Sequence, residues 1–288
     1  MGVATAIPAH GALAGLLGEY STEVTPRDRQ SLEGAAECLP AGAEVFIPAV
    51  PGESSERLIG AAALLRDAGL TPVPHITARS LPSLPAADRL IGRLRDEAGL
   101  DRALVLGGDR DRPAGELHSS LQLIEAGLFQ KHGVSSLFIA CYPEAHPQVP
   151  HPVLDEARTA KLRVAADTGL QVTLVSQFCF EAAPILALAS RMRAMGVTAP
   201  YRIGVAGPAE RALLVKYALM CGIGPSVRAL ARRQHLARNL LAVETPESLL
   251  AQVALACEAD PALGIAGVHF FTFGSTTRTA RFAEGLRR

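Results

Sequence analysis

Residues 136–176 read SLFIACYPEAHPQVPHPVLDEARTAKLRVAADTGLQVTLVS, and their pattern sets the fold. Residues 136–141 are an unbroken aliphatic and aromatic run, as a strand buried on both faces requires. Residues 152–168 then place apolar side chains at three- and four-residue spacing, which predicts an amphipathic helix. Residues 172–176 are β-branched and aliphatic again. A strand, a helix and a second strand in succession make a parallel crossover unit.

The same alternation extends in both directions. Strands are predicted at 20–24, 45–49, 71–77, 103–107, 136–141, 172–176, 202–206 and 267–271. Helices are predicted at 54–68, 86–98, 117–129, 152–168, 181–195, 209–220 and 246–257, with start signals at Ser54, Asp155 and Thr245. Eight strands alternating with helices favour closure into a (β/α)8 TIM barrel, one domain over residues 1–288. A short leading helix is read in the apolar stretch 11–18. An open doubly wound sheet is the competing architecture. It is disfavoured because no GxGxxG follows the first strand and no GxxxxGK[ST] occurs. The Arg-rich stretch 222–241 reads as a further helix with a solvated basic face.

Composition narrows the function classes. The chain has 288 residues, 49% of them hydrophobic and none of them Trp, so its core is aliphatic. Lys and Arg number 28 and so do Asp and Glu, which leaves no basic footprint for nucleic acid or a membrane surface. The five scattered cysteines form no CxxC pair and read as reduced thiols, mostly in the core, of a cytoplasmic protein. No signal peptide or membrane-length apolar run is read. A homo-oligomer is the default expectation from symmetry statistics.

In a barrel of this kind the chemistry sits where strands pass into loops. Glu23, at the end of the first strand, can serve as a proton donor if partly desolvated. Taken alone, it reads more readily as an ion-pair partner of a nearby Arg. The second strand leads into Pro51-Gly52-Glu53-Ser54, either a helix start offering N–H groups to an anion or an ordinary cap. Strand three carries Pro72, Pro74 and His75. Prolines inside a strand predict an unusual local path. Gly107-Gly108-Asp109 ends the fourth strand, where glycine lets the backbone approach a flat ligand closely or make a simple turn. Tyr142-Pro143-Glu144-Ala145-His146-Pro147 follows the fifth strand and is the most information-rich stretch. Gln177-Phe178-Cys179-Phe180 follows the sixth, with an amide suited to a heterocycle edge. No His/Asp/Glu metal constellation is read, and no Lys stands at a predicted strand end, which argues against a metal-dependent or Schiff-base lyase.

Read in order, Glu-x-x-Pro, Pro-His-Ile-Thr, Gly-Asp, Tyr-Pro-Glu-x-His-Pro and Gln-Phe-x-Phe resemble the methylenetetrahydrofolate reductase family. The resemblance is good over residues 20–210 and thinner to His269-Phe270-Phe271-Thr272. It implies a flavoprotein barrel holding FAD and using NADH or NADPH as co-substrate. Such a protein reduces 5,10-methylenetetrahydrofolate to 5-methyltetrahydrofolate, or runs the reverse. The resemblance makes Glu23 the general acid on N10 and Asp109 the carboxylate near flavin and pterin. It assigns the folate to Gln177, Phe180 and Arg278. It assigns the cofactor to His75, Gly108, Asp109, Tyr142, His146 and Asp155.

Several positions depart from the family pattern. Val24-Thr25 replaces two aromatics, and Gly107 replaces an Arg. Leu117-His118-Ser119-Ser120 replaces Tyr-Ala-Ser-Asp. Of the basic cluster after Asp155 only Lys161 and Arg163 are candidates, and Ser275 stands where an Arg is expected, with Arg278 the nearest substitute. Most of these changes touch flavin or substrate anchoring. Three expectations therefore stand together: FAD held through altered contacts, direct hydride transfer from NADH to the folate without flavin, or a non-redox folate-binding or methyl-carrier barrel.

Overall fold

The computed structural model describes residues 10–50, 52–144, 146, 148–223 and 243–288. Its strands are β1 (Ser21–Glu23), β2 (Glu44–Ile47), β3 (Thr71–Thr77), β4 (Arg102–Leu106), β5 (Ser136–Cys141), β6 (Gln171–Cys179), β7 (Tyr201–Ala206), β8 (Ala209–Glu210), β9 (Val243–Glu244) and β10 (Ile265–Phe271). Eight of them close into a parallel barrel in the order β1-β10-β7-β6-β5-β4-β3-β2, with helices between strands. The TIM-barrel expectation therefore holds, and so does the leading helix, at His10–Leu16. By its contacts the chain divides into two compact units. One is Ser21–Cys141 with Gln148–Val175; the other is Met1–Tyr20, Tyr142–Pro147 and Ser176–Arg288.

In the unit built on β1–β5, parallel register and the two-residue period of a strand decide what faces inward. Glu23 pairs with Phe46, Phe46 with Val73, and Leu104 with Phe138. Phe46, Val73, Leu104, Phe138 and Val175 form one buried cluster, in which the Phe46 and Phe138 rings meet at 4.8 Å. His75 lies two residues beyond Val73 and so shares its face. The two prolines of β3 leave the strand regular: pairing with β4 begins at His75, after both of them. A proline cannot donate to a ladder, and here the residues matched to β4 all come later. Helix Leu84–Ala98 shows the sequence logic well. Ser83 caps it by accepting from the Ala86 N–H at 3.4 Å, Gly99 ends it at φ +63°, and Ala87, Ile91, Leu94 and Ala98 form its buried face.

In the other unit the Tyr20 and Phe270 rings meet edge to face at 5.6 Å. Phe178, Ala206, Ala209, Leu214, Ala218 and Ile223 are its buried apolar cluster. β6 and β7 approach unusually closely: the Gly204 N–H donates to Ser176 Oγ at 2.8 Å, and a Cβ on Gly204 would lie 2.1 Å from the Ser176 carbonyl oxygen.

Three local expectations need correction, and one element is new. Residues 117–129 form two helices, Ser120–Glu125 and Leu128–Lys131, because Gly127 between them takes φ +67°. Residues 209–220 split into β8, paired antiparallel with β9, and a helix at Arg211–Met220. Asp155 is no helix start: the helix begins at His151 behind Pro150, and Asp155 sits in its second turn. A helix at Arg29–Cys38 was not anticipated, although Asp28 caps it by accepting from Ser31 N at 2.9 Å. The basic stretch 222–241 lies almost wholly outside the described residues. None of the five cysteines forms a disulfide, and only Cys141 and Cys179 are buried. Among the described residues no helix is long and apolar enough to cross a membrane.

Candidate active site

The β1–β4 unit places Glu23 and His75 together. Glu23 Oε2 lies 3.6 Å from His75 Nε2, longer than a hydrogen bond. Both side chains are largely buried, at 19% and 10% exposure, and the Phe46 ring stands edge-on to the imidazole at 6.1 Å. Burial opposes charge on each. It raises the Glu23 carboxyl to a pKa of about 7 and lowers the His75 imidazole to about 3. Near neutrality the pair is therefore a partly protonated carboxyl beside a neutral imidazole. His75 Nε2 is buried and has no hydrogen-bond partner among the described residues.

The loop after β4 is fixed by backbone geometry. Gly108 takes φ +95°, and a Cβ there would lie 3.2 Å from Thr77 Cβ, so the position favours glycine for local reasons. Asp109 follows it on an exposed turn. Arg79 ties the loop down, its N–H donating to the Gly107 carbonyl at 2.9 Å and its guanidinium to the Asp111 carbonyl at 2.6 Å. Farther along the loop a Cβ on Gly115 would lie 1.9 Å from the Pro82 carbonyl oxygen.

Asp155 is engaged within its own helix, where the buried Arg158 contacts its carboxylate at 2.8 Å. Arg163 is exposed. Lys161 is half-buried, and burial holds its ammonium below the usual lysine range.

The other unit gathers Tyr142, Glu144, His146, Gln177, Phe178 and Cys179 around a cavity of about 10 Å³, on the order of a single water. The Tyr142 and His146 rings meet edge to face at 4.8 Å. Gln177 Oε1 accepts from the Phe178 N–H at 3.0 Å, so the amide oxygen expected to read a ligand already has a local partner. Phe180 packs edge-on against Phe178 at 5.7 Å as part of the apolar cluster. Arg278 is exposed in the first turn of helix Thr276–Arg287, where its N–H donates to Ser275 Oγ at 3.3 Å.

One residue escaped the sequence reading. Phe273 has φ +45°, the only non-glycine residue with positive φ among those described. Its ring packs on Tyr217 at 4.6 Å and on Phe178 at 5.2 Å. A bulky side chain in that region is a strained position, and the neighbouring Gly274 was its only sequence signal.

Of the residues assigned to FAD, Asp155 is paired with Arg158, Tyr142 and His146 line the small cavity with Gln177, Asp109 is exposed, and His75 Nε2 lacks a hydrogen-bond partner among the described residues. No metal-binding group of three or more His, Cys, Asp or Glu occurs among the described residues.

No protein-family model matches the chain. Among solved structures it is similar to dihydropteroate synthase from Thermus thermophilus, with 18% identity over 93% of this chain and 92% of that one and a TM-score of 0.50. It is also similar to N-acetylneuraminate lyase from Fusobacterium nucleatum, with 12% identity over 93% of this chain and 75% of that one and a TM-score of 0.45. At such identity the likeness to the synthase describes the fold and not the chemistry.

Proposed function

We propose that this chain is an NAD(P)H-dependent oxidoreductase of folates, interconverting 5,10-methylenetetrahydrofolate and 5-methyltetrahydrofolate by direct hydride transfer. The observation that carries the proposal is Glu23, a buried carboxyl at the end of a barrel strand that keeps its proton up to about pH 7. Reducing the methylene bridge needs such a group. Protonation of N10 breaks its bond to the bridging carbon and leaves an N5 iminium. Hydride from C4 of the dihydronicotinamide then adds to that carbon, giving the N5-methyl product and NAD(P)+. One proton and one hydride enter, and the Glu23 carboxylate is reprotonated from solvent.

Direct transfer is favoured over a flavin relay because, of the positions that would hold FAD, Asp155 is paired with Arg158 and Tyr142 and His146 pack on each other. Nicotinamide and iminium carbon are competent hydride partners without an intermediary. Asp109 is assigned to the folate on the strength of its place after β4. Gln177, Phe180 and Arg278 keep their substrate-binding roles as single-residue proposals, each tested by the KM of an alanine variant. Assignment to the methylenetetrahydrofolate reductase family is likewise proposed, on the strand-end motifs.

The test is an anaerobic absorbance titration of the purified protein with NADH, then NADPH, each followed by 5,10-methylenetetrahydrofolate. Nicotinamide oxidation that starts only on adding the folate, with no flavin spectrum, is expected. Folate binding with no nicotinamide oxidation, even with FAD supplied, would replace this function with non-redox folate binding.

A further inference from the structure

We infer that His75 is a second catalytic residue, donating a hydrogen bond from Nε2 to the Glu23 carboxylate as the acid gives up its proton. The inference rests on the folate-reductase reading for its substrate and on geometry for the pair itself.

Three observations support it. His75 Nε2 is buried without a hydrogen-bond partner among the described residues, and leaving a buried donor unsatisfied is costly unless it has another use. The atom it faces is Glu23 Oε2 at 3.6 Å, too far for a ground-state hydrogen bond but within a small movement of one. Glu23 on β1 is matched through Phe46 to Val73 on β3, and His75 lies two residues beyond Val73, so the strand period puts both side chains on the same face, one step apart.

Those strands also explain why the interaction is selective. A neutral carboxyl gains little from a neutral imidazole across 3.6 Å. Once the proton leaves for N10, the largely buried Glu23 side chain carries a charge that its burial disfavours. An Nε2–H closing on it then makes a charge-assisted hydrogen bond that the starting state lacked. An interaction stronger in the transition state than before it lowers the barrier. The step moves no proton to or from His75; the transferred proton ends on N10. Glu44 and Arg102, at the starts of β2 and β4, pair with each other, and the Arg79 guanidinium donates to the Asp111 carbonyl.

The experiment compares wild type with His75→Leu and His75→Gln, whose amide nitrogen can take the place of Nε2. Two quantities are read: steady-state turnover across pH, and the Glu23 carboxyl pKa by infrared difference spectroscopy with Glu23→Gln as the band assignment. His75→Leu is expected to lower kcat about tenfold to a hundredfold with KM for the folate little changed. It should also move the Glu23 pKa and the alkaline limb of the rate profile upward by about one unit. His75→Gln should restore most of both. Loss of kcat in both variants with the carboxyl pKa unmoved would make His75 merely structural and overturn the inference, as would wild-type turnover in His75→Leu. If wild type fails to oxidise NAD(P)H with the folate, the functional reading falls instead. The carboxyl pKa of the variants then still decides whether the pair interacts as described.

Discussion

Glu23 is the proposed proton donor at the scale of single residues, and its burial makes two predictions. Glu23→Gln should abolish turnover while folate affinity persists, checked by isothermal titration beside a rate assay; normal turnover in the variant would remove Glu23 as proton donor. The second prediction concerns stability. The folded Glu23 pKa is raised from 4.5 to about 7, so the folded state holds an extra proton in that window and loses stability as pH rises through it. The folded His75 pKa is lowered from 6.5 to about 3, so the unfolded state holds an extra proton there and stability is lost as pH falls through that window. Between about pH 4.5 and 6.5 the two slopes oppose each other, and the pair should add little pH dependence. In Glu23→Gln that balance disappears. Urea melts should then show stability climbing from about pH 4.5 to 6.5, and a variant about 3 kcal/mol more stable than wild type above about pH 7. An unchanged pH profile would mean that Glu23 is not desolvated. Both residues were legible in the sequence as strand-end groups. Their pairing was not, because contact across a parallel sheet depends on register between strands about fifty residues apart in sequence, which no local pattern encodes.

Elements obeyed their local signals where those signals were strong. Capping residues and apolar spacing gave the helix at Leu84–Ala98, and aliphatic runs gave the strands. The misplaced boundaries follow from a left-handed glycine at Gly127 and a two-residue ladder between β8 and β9 that draws Ala209–Glu210 out of the predicted helix. Glycines whose meaning is tertiary were also silent in sequence. Gly204→Ala would drive a Cβ to 2.1 Å from the Ser176 carbonyl oxygen inside the sheet, and should cost about 3 kcal/mol or more in chemical denaturation. Gly60→Ala, in the middle of helix Ser55–Asp67 with nothing within 4 Å, should instead add about 0.5–1 kcal/mol. Equal effects of the two substitutions would contradict the packing described. Arg193 is another tertiary clasp. Its guanidinium donates to the carbonyls of Leu263 at 3.0 Å, Ala199 at 2.8 Å and Val197, tying the segments before β7 and β10 to helix Ala182–Ala194. Arg193→Ala should therefore destabilise by about 2 kcal/mol, whereas a change within error would make the clasp dispensable.

The whole molecule was the most legible scale. Eight repeats of strand and helix, without a nucleotide-binding glycine loop, already pointed to the closed barrel. The strand-end motifs suggest a folate enzyme, while the pairing of Asp155 with Arg158 and the packing of Tyr142 on His146 occupy positions that the same motifs give to flavin. The most direct test of direct hydride transfer to a folate follows the hydrogen itself. NADH or NADPH deuterated at C4, in each stereoisomer, would be turned over with 5,10-methylenetetrahydrofolate in ordinary water, and the product's methyl group examined by mass spectrometry. The account predicts that one stereoisomer delivers its deuterium intact to the methyl group. Deuterium washed out into solvent would reveal an exchanging intermediate carrier such as a reduced flavin, and would contradict it.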